Sequence, residues 1–155
     1  MKIKMLVMDV DGTLTNGYIY IASSGEVMKA FNVKDGYGIV KLSQDGVLPV
    51  IITGRKSEIV AERAKELNIT ELYQGIDDKL EQLKKVAKKY SMSSNEIAYI
   101  GDDMNDLECI EFCGLSACPA DAYLIVKQKV DFVSCHNGGC GAVREFVDYI
   151  SQVNR

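Results

Sequence analysis

The chain carries a single histidine, His136, and its five cysteines (Cys109, Cys113, Cys118, Cys135 and Cys140) contain no CxxC pair. That leaves too few ligands at the right spacing for a zinc-thiolate site. Cys109 and Cys113, at i and i+4, suit one face of a helix. The expectation is reduced thiols, buried or partly buried. No excess of basic residues is present: the net charge is −4, which gives no footprint for nucleic acid. No apolar run approaches the ~20 residues of a membrane span. No signal peptide is read, because Met1 leads directly into a strand, so a cytoplasmic protein is expected. Repeats, low-complexity stretches and an interdomain linker are missing too. What remains is 155 residues, 47% apolar and 26% charged, the composition of one globular domain over residues 1–155 with one sizeable core.

The most informative stretch is Met5 to Gly17, MLVMDVDGTLTNG. An apolar run that stops at Asp-x-Asp-Gly reads as a buried strand opening into a polar loop. Asp9 and Asp11 stand at i and i+2, so both would face one site if the strand continued through them. Two carboxylates that close repel, and a hard cation is the usual remedy. A carboxylate can also act as a nucleophile and form an aspartyl-phosphate. The plainer alternative is a solvated acidic turn, since Asp and Gly need no function there.

The rest of the chain alternates strand and helix. Strands are expected over Ile3–Met8, Leu48–Thr53, Leu72–Gln74, Ile97–Ile100, Leu115–Ala117 and Phe132–Val133. Tyr18–Ile21 and Glu26–Phe31 flank Ser23-Ser24-Gly25 and read as a β-hairpin. Helices are expected over Asp35–Gln44, with Asp35 as N-cap, then Ser57–Leu67, Lys79–Tyr90, Asn105–Phe112 and Val143–Val153, with a helical turn near Ala122–Lys127. Such alternation implies an α/β fold, a doubly wound parallel sheet with helices on both faces.

Three strand ends carry polar clusters: Asp9/Asp11, Thr53-Gly54-Arg55, and Asp102-Asp103 with Asp106. Doubly wound topology brings such ends to one edge of the sheet. So many carboxylates together call for a cation, and Mg²⁺ takes few protein ligands beside phosphate oxygens and water. Lys79 could balance a transferring phosphoryl group. Thr53 offers a hydroxyl where a strand-end N–H is also free.

DVDGTLT, IITGR, the lysine of GIDDK, and GDDMND occur in that order across most of the chain. This series resembles the haloacid-dehalogenase-type phosphatases. The resemblance implies Asp9 as nucleophile and Asp11 as general acid/base. It implies Thr53 as phosphoryl holder and Lys79 as charge neutraliser. Asp102 would complete an Mg²⁺ site with the Asp9 carboxylate and the Asp11 carbonyl, with Asp103 and Asp106 in support.

The gaps between motifs hold only a hairpin, one strand and single helices, with no room for a cap domain. With NGGCGAVREFV near the end, this is similar to the capless phosphatases of 3-deoxy-D-manno-octulosonate 8-phosphate (KDO 8-phosphate). The resemblance implies a homotetramer with central hairpins, where a neighbour closes the site through Arg63 or the Gly138–Gly141 segment. Cys140 departs from the basic residue expected there. Arg55 suits a sugar carboxylate through bidentate pairing, and a glutamate at that position is associated with enzymes for nine-carbon, sialic-type sugar phosphates. The nine-carbon substrate is therefore the first alternative. A receiver-like phospho-acceptor switch is an alternative of another class, although its acidic pair and acceptor come in a different order. A binding module with a decayed site is opposed by the full set of catalytic side chains.

Overall fold

The computed structural model describes residues 2–155, so the reading that Met1 leads into a strand lies outside the described residues. A six-stranded parallel sheet forms from β1 (Met5–Met8), β4 (Leu48–Ile52), β5 (Glu71–Tyr73), β6 (Ile97–Ile100), β7 (Leu115–Cys118) and β8 (Phe132–Val133), in the order β5-β4-β1-β6-β7-β8. β1 lies at the centre, its Met5–Met8 paired with Leu48–Ile51 on one side and Ile97–Ile100 on the other. Strand order reverses beside β1, which is where such sheets open a crevice at their C-terminal ends.

The helices are α1 (Val33–Gln44), α2 (Glu58–Glu66), α3 (Lys79–Lys89), α4 (Leu107–Phe112), α5 (Leu124–Lys127) and α6 (Ala142–Val153). Central strands are buried on both faces, so they read as unbroken apolar runs, and alternate residues sort between two cores. Leu6, Met8, Ala98 and Ile100 pack with α1, α2 and α6 through Ile39, Val60 and Phe146. Met5, Val7, Ile97 and Tyr99 pack with α3, α4 and α5 through Leu83, Ile110 and Val126. The doubly wound α/β fold expected from the alternation is the fold observed. No helix among the described residues is long and apolar enough to cross a membrane.

Several local expectations shift. β1 starts at Met5 rather than Ile3; the Ile3 N–H goes to the Asn154 side chain instead of the sheet. The N-cap of α1 is Asn32, whose side chain accepts from the N–H groups of Lys34 and Asp35. Asn caps as well as Asp, and Asp35 falls inside the first turn, where it is buried. The hairpin is shorter than read: β2 (Tyr20–Ala22) pairs antiparallel with β3 (Gly25–Met28). Phe31, the last residue of the expected hairpin, lies beyond β3 and turns in against the core. Cys109 and Cys118 are buried and Cys113 half-buried, but Cys135 and Cys140 are exposed.

Candidate active site

β1 hands its alternation to the next residue. Met5 and Val7 face the α3 side, and so does Asp9, which is 6% exposed. The strand does not run on to Asp11. Instead Val10 O accepts from the N–H groups of Thr13, Leu14 and Thr15, closing a turn. Asp9 and Asp11 thus reach the same cleft by a turn and not by strand continuation, which corrects the expected geometry. Gly12 has φ +89° in this turn, and a Cβ there would run into the Asp102 carboxylate. Gly138 closes the turn from behind; a Cβ on it would strike Gly12 O, while Gly139 N–H donates to Thr13 O at 3.1 Å.

Asp9, Asp11, Thr53, Gly54, Arg55, Asp102, Asp103 and Asn105 line one open cleft. The three polar strand ends therefore meet as the topology requires. Lys79, the first residue of α3, lies behind Asp9 rather than on the cleft wall. Its Nζ is 2.9 Å from Asp9 Oδ1 and 2.8 Å from Asp106 Oδ1. Asp106 also accepts from the Tyr99 hydroxyl at 2.6 Å and from the N–H groups of Asp102 and Asp103. Asp106 thus holds Lys79 and the Asp102 loop through these contacts. Asp103 caps the next turn through Met104 N–H at 2.7 Å.

Oxygens of Asp9, Asp102 and Asp106 lie within 4.8 Å of one another. Burial, then the Asp106 charge, raises Asp9 to about 6 despite Lys79, which lowers it. Burial, then the charges of Asp9 and Asp106, raises Asp102 to about 8. Burial lowers Lys79, but the Asp9 and Asp106 charges outweigh it and hold its ammonium well above the ordinary range. Asp9 and Asp102, both raised by burial and by neighbouring carboxylate charge, form a donor set that a hard divalent cation fits, because its charge offsets that of the carboxylates. Thr13 Oγ1 donates to Asp102 Oδ1 at 3.0 Å and orients it.

The Asp11 carboxylate turns away from this cluster. Lys29 Nζ lies 2.6 Å from its Oδ1 and 3.1 Å from Glu26 Oε2. Arg55 is more loosely placed, 3.9 Å from Asp11 and 3.8 Å from Glu26, with its side chain 48% exposed. Thr53 keeps only its hydroxyl for a ligand, since its N–H donates to Tyr73 O at 3.0 Å. The expected free N–H at Thr53 is therefore not there. Arg63 does not reach the cleft of its own chain. It donates to Asn32 O and Glu66, stacks over Phe31, and lines a separate cavity with Asp35 and Gly36.

Sequence reasoning missed Lys29, Glu26, Thr13 and Tyr99. A signal for the first two existed: Glu26 and Lys29 are the two charges in the otherwise apolar segment Glu26–Phe31. Their partners lie far along the chain, which no local pattern reveals.

The haloacid dehalogenase-like hydrolase family matches residues 65–147, the stretch holding Lys79 and the Asp102–Asp106 segment. The chain belongs to the haloacid dehalogenase-like hydrolases, and with that family goes a catalytic rather than a receiver-like chemistry. More particularly, it is 43% identical to the 3-deoxy-D-manno-octulosonate 8-phosphate phosphatase KdsC of Escherichia coli (strain K12), over 96% of this chain and 79% of the relative. The crystal structure of the phosphatase of the same name from Yersinia pestis superposes with a TM-score of 0.96 at 41% identity, covering 98% of this chain and 82% of that one. The Moraxella catarrhalis enzyme of that name, in complex with a magnesium ion, a phosphate ion and KDO, superposes at 0.94 with 41% identity, over 97% and 86% of the two chains.

Proposed function

We propose that the chain is an Mg²⁺-dependent phosphatase of KDO 8-phosphate, an eight-carbon 3-deoxy-2-keto sugar acid phosphate, working through an aspartyl-phosphate on Asp9. Residues 1–155 form its single phosphatase domain, and its place is the cytoplasm. The observation that carries the reading is the meeting of the Asp9 and Asp102 carboxylates at the cleft, with Lys79 held 2.9 Å behind Asp9. The Asp9 and Asp102 carboxylates and the Asp11 carbonyl would hold Mg²⁺. When bound, the ion offsets the charge of the phosphate and of the carboxylates around it.

The chain's own groups divide the remaining work. Asp9 attacks phosphorus, with Lys79 keeping its carboxylate ionised and aimed. Thr53 Oγ1 and the Gly54 backbone bind phosphoryl oxygens. Asp11 gives a proton to the leaving sugar oxygen, then takes one from the water that attacks the phospho-aspartate. Arg55, at the cleft's exposed edge, meets the sugar carboxylate. The substrate in the relatives' names and the Arg55 side chain favour the eight-carbon acid over the nine-carbon one.

The second element is assembly. Tyr18 and Ile21 are 68% and 69% exposed, and Val27 and Met28 about half exposed. A two-stranded hairpin with so apolar a surface is marginal in water. We read it as the centre of a homotetramer, in which a neighbour's Arg63 or Gly138–Gly141 segment closes each cleft. Light scattering should give four subunits; a monomer that keeps full sugar-phosphate selectivity would overturn this.

The substrate is tested by comparing kcat/KM over eight- and nine-carbon keto-sugar acid phosphates with Mg²⁺. A preference for the nine-carbon acid of tenfold or more, about 1.4 kcal/mol, would overturn the substrate and leave the chemistry standing.

A further inference from the structure

Each aspartate of the Asp9/Asp11 turn has its own buried ammonium. Lys79 serves Asp9, and the geometry points to Lys29 as the positioning residue of Asp11, the group that aims its carboxylate for proton transfer. This rests on the phosphatase reading above and extends it to a residue of the hairpin.

Lys29 follows β3 directly and is 8% exposed; its side chain is wholly buried. A buried lysine is tolerated only when paired. Here it has two partners, Asp11 Oδ1 at 2.6 Å and Glu26 Oε2 at 3.1 Å. Glu26 is itself anchored from the other side: the Ser57 hydroxyl donates to its Oε1 at 2.5 Å, and the Ser57 N–H donates to the Gln74 side chain at 2.9 Å. The relay Gln74–Ser57–Glu26–Lys29 thus runs from the α2 start through the hairpin to Asp11. Asp11 sits at the front of a turn and has few constraints of its own, with no strand continuing through it. One short charge-assisted contact therefore decides where its carboxylate points.

Lys29 faces no reacting atom, so its effect must pass through Asp11. A general acid matters in proportion to how poor the leaving group is. Removing the lysine should therefore slow esters with a basic alkoxide leaving group far more than esters of an acidic phenol. Loss of fold or assembly would slow both equally.

The test compares wild type, Lys29→Met and Lys29→Gln as full chains with Mg²⁺. The readout is kcat/KM for an alkyl phosphate and for p-nitrophenyl phosphate, alongside inhibition by inorganic phosphate. In Lys29→Met the alkyl ester should fall by ~10–100-fold, while the aryl ester and phosphate inhibition change by less than about threefold. If Lys29→Met does not fold, Lys29→Gln reads the same ratio, because its amide carries no charge. Equal falls for both esters, or no fall, would overturn the role. A wild type inert toward every phosphate ester would overturn the phosphatase reading and this inference together. An active wild type with an unaffected ratio would overturn this inference alone.

Discussion

Asp106 Oδ1 lies 2.8 Å from Lys79 Nζ, and this contact places the lysine before any substrate arrives. Both groups are buried, Asp106 at 0% and Lys79 at 3% exposure. Removing Asp106 would leave the Lys79 ammonium with Asp9 as its one remaining partner in a dry site. Asp106→Ala also strands the Tyr99 hydroxyl and two backbone N–H groups. We expect a loss of about 3–5 kcal/mol in urea denaturation. A cost under about 1 kcal/mol would mean that the pair is solvated and not structural.

Asp9→Asn keeps the shape of the side chain and its neighbours while removing the proposed nucleophile. An amide oxygen is a poor attacker at phosphorus. The variant should melt cooperatively near the wild-type temperature, and its turnover should sink to the assay background. Near-normal turnover would remove Asp9 from its role.

Protonation gives the metal a pH signature. Asp9 and Asp102 sit at about 6 and about 8, above the ordinary 3.8, because burial and their neighbours' charges oppose ionisation. A raised acid pKa means that the native state binds more protons than the unfolded chain, so these groups take stability away as pH rises from about 4 to about 8. Mg²⁺ binds the ionised forms and displaces those protons. The rise in Tm on adding Mg²⁺ should therefore be larger at pH 8 than at pH 5.5, and chelation should abolish turnover. An equal rise at both pH values would sink the carboxylate assignment.

Glu71 has the opposite sign. Burial pushes it up, but hydrogen bonds from Lys89, Tyr73 and Tyr90 outweigh this and bring it down to about 2 from 4.5. Its stabilisation is complete above the unfolded value of 4.5 and is lost as pH falls toward 2. Glu71→Gln should cost about 1–3 kcal/mol at pH 7 and almost nothing near pH 2. A cost independent of pH would show that packing, and not charge, matters at this edge strand.

The sheet was legible because buried parallel strands leave unbroken apolar runs, as in Leu48–Ile52 and Ile97–Ile100. The carboxylates at strand ends were legible for the same reason, since an apolar run that stops at aspartate marks the edge where loops converge. Asn32 was missed as a cap because Asp35, three residues on, carries the same local signal. Lys29 was missed because its partner Asp11 and its anchor chain through Ser57 belong to other elements. Tertiary ion pairs leave no periodicity in sequence. The inward turn of Phe31 has the same origin: it packs under Arg63 of α2.

The role proposed for Arg55 separates substrate selection from chemistry. On the proposed reading, Asp9 and Thr53 meet the phosphoryl group, with Lys79 behind Asp9, and they treat every ester alike. Arg55 stands at the cleft's rim, half exposed, with Asp11 and Glu26 nearly 4 Å away. Those contacts are too long to satisfy the guanidinium, so its donors remain available to an anionic partner. A sugar carboxylate offers the matching fork. Arg55→Glu should lower kcat/KM on KDO 8-phosphate by ~10–100-fold, since it replaces attraction with repulsion. It would also set a third carboxylate beside Glu26 and Asp11, so the neutral Arg55→Gln is the cleaner comparison. In Arg55→Gln, the sugar acid phosphate should lose about tenfold, which is 1.4 kcal/mol, while p-nitrophenyl phosphate changes by less than about threefold. Equal losses on both esters would place Arg55 with the phosphoryl chemistry and take substrate choice away from it.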